Sequence, residues 1–122
     1  ALAAPGAEAL VIEFTPDKVA VRRAARGLLL ATNHFRSQEL ASDPMDRCER
    51  FARLERDTAE ARGKLDLAAL KPMLDAVNQG DMTVQTMVFE PAARRLHLAI
   101  GRLPASSGAY VILDCAKLLA AK

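Results

Sequence analysis

An α+β fold, antiparallel sheets packed with helices, is what this sequence predicts, and three observations carry the prediction. β-favouring runs occupy the first and last thirds of the chain, whereas the middle third repeats its apolar residues every three or four positions. Ala and Leu, 24 and 17 of 122 residues, fill a third of all positions, while the aromatics are only four Phe and one Tyr; that balance disfavours an all-β protein. Hydrophobic residues at 51% and charged residues at 26% are the proportions of a folded chain and not of a disordered one. At this length the expectation is a single domain, residues 1–122.

The elements follow in order. Leu10-Val11-Ile12-Glu13-Phe14 and Lys18-Val19-Ala20-Val21-Arg22-Arg23 are short strands joined by Thr15-Pro16-Asp17, a hairpin in which Pro presets the turn. Leu28-Leu29-Leu30-Ala31-Thr32 then reads as a buried strand running out into the polar cluster Asn33-His34-Phe35-Arg36-Ser37. Asp43 is the expected N-cap of a helix, with Pro44 at its first position, Asp46 three residues after the cap and Gly63 as the stop. Its apolar stripe is Met45, Cys48, Phe51, Leu54, Thr58 and Ala61, with Asp46–Arg50 and Glu49–Arg53 as i,i+4 pairs on the remaining surface. Asp66 caps a second helix that presents Leu67, Leu70, Met73 or Leu74, and Val77 and ends at Asn78-Gln79-Gly80; Pro72 inside it removes one backbone donor.

Strands return at Thr83–Phe89 and Arg95–Ile100, linked by Glu90-Pro91-Ala92-Ala93-Arg94. In the second of these, Leu96, Leu98 and Ile100 alternate as the apolar side, which puts His97 on the solvent side. A last run, Ala109–Leu113, precedes a C-terminal segment that is either a helical turn or a frayed tail.

The charge pattern narrows the function classes. Seventeen basic and fifteen acidic residues are interleaved, and the few aromatics are scattered, so neither a basic stripe nor a stacking platform for nucleic acid is expected. No apolar run approaches the eighteen or so residues of a membrane span, and Ala1–Ala9 lacks the positive flank of a signal peptide. A soluble, cytoplasmic protein is expected, with Cys48 and Cys115 as free thiols, no cofactor and no metal.

Cys48 and His34 form a conceivable thiol and base, but Cys48 sits on the apolar stripe, where a cysteine is ordinarily a small buried hydrophobe. His34 and His97 lie 63 positions apart and make no metal signature. Arg47, Arg50, Arg53 and Arg56 read as a solvated helix face. Asn33 stands out, because an amide at the end of a buried strand is a rigidly placed donor able to stabilise an oxyanion. Its ordinary reading is an Asn that caps its own turn.

The run Thr32-Asn33-His34-Phe35 after the apolar segment, the helix start Asp43-Pro44-Met45-Asp46-Arg47-Cys48-Glu49-Arg50, Gly63-Lys64-Leu65-Asp66 and the late hairpin together resemble the C-terminal part of one family. It is the acyl-coenzyme A:6-aminopenicillanic acid acyltransferase family of N-terminal nucleophile hydrolases, which is related to acid ceramidase-type amidases. The resemblance spans roughly residues 9 to 103. It implies part of an αββα sandwich and an enzyme that cleaves or transfers amide-linked acyl groups, using an N-terminal Cys freed by autoproteolysis. By the resemblance, Asn33 polarises the carbonyl or holds the nucleophile, Arg47 matches an Arg of the ceramidase-like relatives, and His34 and Phe35 adjoin the substrate.

Ala1 has no thiol or hydroxyl, and neither cysteine stands where the family nucleophile stands. The expectation is therefore a C-terminal fragment or subunit, inactive alone and completed by an upstream segment or subunit carrying the nucleophile. It is also expected to self-associate and to act on a small acyl-amide substrate, without nucleic acid or membrane partners. The alternative is a non-catalytic, self-associating module derived from the same fold.

Overall fold

In the computed structural model, which describes residues 9–41, 48–61 and 64–120, the chain is α+β, with two small antiparallel sheets and three helices. It divides into two compact units, Ala1–Arg56 and Asp57–Lys122.

In the first unit, β1 (Leu10–Phe14) and β2 (Val19–Arg23) pair with Leu10 opposite Arg23 and Phe14 opposite Val19. The connecting turn closes through Thr15, whose N–H donates to the Lys18 carbonyl at 2.8 Å and whose hydroxyl accepts from the Lys18 N–H at 3.1 Å. Strand alternation separates two faces. Leu10, Ile12, Phe14, Val19 and Val21 line one, and all are exposed, Phe14 to 68%. The other carries Val11, Glu13, Ala20 and Arg22, of which Glu13 and Ala20 are buried. The charged face is thus inside and the apolar face outside, the reverse of a self-contained hairpin.

Beyond β2, a tight turn with Arg26 and Gly27 at φ 54° and 77° closes between Ala25 and Leu28. The strand expected at Leu28–Thr32 does not form: Leu28 makes a single bridge to Ala25 and Leu29 is buried, but no ladder follows. Side chains take up one backbone group of this run and two just beyond it. The Arg22 guanidinium donates to the Leu30 carbonyl at 2.9 Å, and the Glu13 carboxylate accepts from the Arg36 and Ser37 N–H groups.

α1 (Glu49–Glu60) starts at Cys48, whose carbonyl accepts the Ala52 N–H at 3.0 Å. The expected cap Asp43, with Pro44, Met45, Asp46 and Arg47, lies outside the described residues, as does the expected stop at Gly63. Where it is described, the apolar stripe faces inward: Cys48 and Thr58 are buried, and Phe51, Leu54 and Ala61 are half-buried.

The second unit holds α2 (Leu67–Ala76), capped as the sequence predicts by Asp66, which accepts from the Ala69 N–H at 2.8 Å. Pro72 is accommodated inside the helix, and Gly80, at φ 57°, makes the turn that follows it. β3 (Gln85–Glu90), β4 (Arg95–Ile100) and β5 (Val111–Asp114) form the antiparallel sheet in that order. α3 (Cys115–Ala120) follows directly, so the C-terminal segment is helical and packs on β4 and β5.

One face assignment is reversed. His97, expected on the solvent side, is only 3% exposed, whereas Ile100, expected with the apolar side, is 63% exposed. Thr86, Val88, His97 and Ala99 share the covered face, where small side chains at 86 and 99 admit the 3-10 turn Ala105–Ser107. That turn touches α2, β3 and β4, and its Ala105 N–H donates to the Thr83 carbonyl at 2.7 Å. His97 is tolerated there because its Nε2 lies 2.5 Å from the Glu90 carboxylate. The opposite face, with Met87, Phe89, Ile100 and Val111, is open.

Candidate functional site

Each candidate belongs to the first unit, and Arg47 lies outside the described residues. Asn33 is exposed and sits in an irregular segment, not at the end of a paired strand. Its Oδ1 accepts a hydrogen bond from Arg50 Nη2 at 2.7 Å. With its oxygen engaged by a guanidinium, the Asn33 amide has its O/N orientation set, and its Nδ2 hydrogens are left for another acceptor. Arg50, read from the sequence as solvated surface, is therefore the side chain that orients the candidate donor. It projects from the first turn of α1, and this reach across seventeen positions leaves no periodic trace in the sequence.

His34 and Phe35 follow on the same segment, both exposed. The structure brings His34 to Cys48, the pair that burial on the apolar stripe argued against. Cys48 is 8% exposed and occupies the N-cap of α1. Its Sγ lies 3.5 Å from Thr32 Oγ1. Burial pushes the thiol up, but hydrogen bonds from the Thr32 hydroxyl, the Phe51 N–H and the His34 imidazole, with the field of that imidazole, outweigh it and lower the thiol from 9.0 to about 7. A cysteine can thus be both on the buried stripe and ionisable, because the same helix start that buries it supplies a backbone donor.

Glu13 and Arg22 complete the surroundings. The Glu13 carboxylate, 6% exposed, meets Arg22 Nε at 2.6 Å, the Arg36 N–H at 3.0 Å and the Ser37 N–H at 2.8 Å. Burial raises this carboxyl, and the donors from Ser37, Arg36 and Arg22 more than offset that, taking it from 4.5 to about 2. Sequence reading passed over both residues. Their signal was present in the alternation, since Glu13 and Arg22 fall on the opposite strand faces from Ile12, Phe14, Val19 and Val21. Arg36 also stacks its guanidinium 4.2 Å from the Phe51 ring centroid, tying the segment to α1.

Among the described residues no group of three His, Cys, Asp or Glu side chains is placed to hold a metal ion, and no helix is long and apolar enough to cross a membrane. The arrangement offers an amide and an imidazole on adjacent residues, Asn33 and His34, and an ionisable thiol at the start of α1. Compared with known proteins, the chain matches no family model, no curated protein and no solved structure.

Proposed function

We propose that this chain is the C-terminal portion of an N-terminal nucleophile acyltransferase or amidohydrolase acting on a small amide-linked acyl group. Asn33 polarises the acyl carbonyl, and a segment or subunit ahead of Ala1 supplies the nucleophilic cysteine. The observation that supports this reading is the Arg50–Asn33 hydrogen bond, which engages the Asn33 amide oxygen and leaves its Nδ2 hydrogens for a developing oxyanion. The open apolar face on each sheet supports it further, since an αββα sandwich needs such faces to pack on other strands. In the mechanism, the thiolate of the upstream cysteine attacks the carbonyl carbon while Asn33 Nδ2 donates to the developing oxyanion. The α-amine of that cysteine, having taken the thiol proton, passes it to the leaving nitrogen as collapse expels the amine and leaves a thioester. Water or a second amine then resolves the thioester, its own proton going to the same α-amine and thence to the released thiolate.

A second reading is favoured by one observation: Cys48 Sγ lies 3.5 Å from Thr32 Oγ1 with the His34 imidazole beside it, an arrangement that favours the thiolate and would let Cys48 itself act as the nucleophile within this chain. One experiment separates the two. The chain, alone and joined to the coding segment that precedes it, is incubated with an activated aryl ester of a small acid, and the acylated cysteine is located by mass spectrometry. Acyl on the upstream cysteine supports the first reading, acyl on Cys48 of the chain alone supports the second, and acylation of neither refutes both.

A further inference from the structure

The segment that carries Thr32, Asn33 and His34 has no strand or helix to hold it, yet the side chains it presents are in order. What holds it comes from β1 and β2. Arg22 spans two partners at once: Nε meets Glu13 at 2.6 Å and Nη2 donates to the Leu30 carbonyl at 2.9 Å. Glu13 in turn accepts the consecutive N–H groups of Arg36 and Ser37. The two charges therefore grip the segment on either side of Asn33, at Leu30 and at residues 36–37.

Such a pair supplies direction as well as stability. Apolar packing of the same volume often replaces a buried ion pair without loss of stability, but it would not reproduce hydrogen bonds to named backbone groups. A planar guanidinium that bridges a carboxylate and a carbonyl fixes direction in a way that a methylene chain cannot. We infer that Glu13 and Arg22 are positioning residues, which clamp the Leu30–Ser37 segment from both ends and so hold Thr32 and His34 against Cys48 and Asn33 against Arg50. The purpose of that positioning rests on the acyl-transfer reading; the positioning itself does not, because Cys48 reports it without any turnover.

The test is the pH profile of Cys48 alkylation by iodoacetamide in the full chain, read by mass spectrometry and accompanied by thermal melting. In the wild type the expected rate is half-maximal near pH 7. Glu13→Gln and Arg22→Met release one end of the segment each, withdraw Thr32 and His34 from the thiol, and move the midpoint upward by about one unit or more, toward an ordinary thiol. Asp66→Ala, which removes a helix cap in the other unit, lowers the melting temperature without moving the midpoint. If Glu13→Gln does not fold, Arg22→Lys decides, because a lysine keeps the charge and loses the bridge. A folded variant at either position with the wild-type midpoint overturns the proposal. Failure of the acyl-transfer reading would show instead as absence of acylation with the midpoint shifts intact.

Discussion

At the scale of single residues, Asn33 was legible in the sequence and its partner was not. An amide following an apolar run is conspicuous, whereas Arg50 belongs to a series of arginines spaced like any solvated helix face. Cys48 was placed correctly on the buried stripe, but the stripe says nothing of the helix start and the imidazole that converge on it. Iodoacetamide at pH 7 should modify Cys48 ahead of the more exposed Cys115, and His34→Ala should slow that reaction while leaving Cys115 unchanged; equal rates would mean that exposure alone governs both thiols. Glu13 predicts an acid-sensitive first unit. Its folded carboxyl lies below the unfolded one, so its contribution is complete above about pH 4.5 and is lost as pH falls toward 2. The magnitude is of the order of 3 kcal/mol, and Glu13→Gln should flatten the acid limb of the stability curve.

At the scale of elements, boundaries were easier to read than faces. Both hairpins, α2 with its Asp66 cap, and the full span of β4 follow from alternation, turn residues and capping chemistry. Removing the cap oxygen, Asp66→Ala, should cost about 1 kcal/mol in denaturant unfolding, and no loss would show that tertiary packing holds the helix start. The covered face of β4 was missed, because hydrophobicity assigned Ile100 inward and His97 outward, whereas pairing with Glu90 made the histidine the better buried residue. Leu28–Thr32 failed as a strand for a related reason: a hydrophobic run specifies burial, and a backbone partner within it, at the Leu30 carbonyl, turned out to be Arg22, a charge on the neighbouring hairpin.

At the scale of the molecule, each sheet leaves one apolar face uncovered, which a self-sufficient protein of this size rarely does. Light scattering on the isolated chain should therefore show a dimer, a larger species or aggregation. Phe14→Lys with Phe89→Lys should shift it toward monomer; a monomeric wild type would argue against an incomplete sandwich. The central proposal, that this chain contributes an amide that steadies an oxyanion, is tested most directly by Asn33→Ala in the chain joined to the coding segment that precedes it, with kcat and Tm measured on the same preparation. The account predicts that kcat falls by roughly 10² to 10³, about 3 to 4 kcal/mol of barrier, with Tm unchanged. A fall in Tm with kcat preserved would make Asn33 a turn cap and contradict the claim.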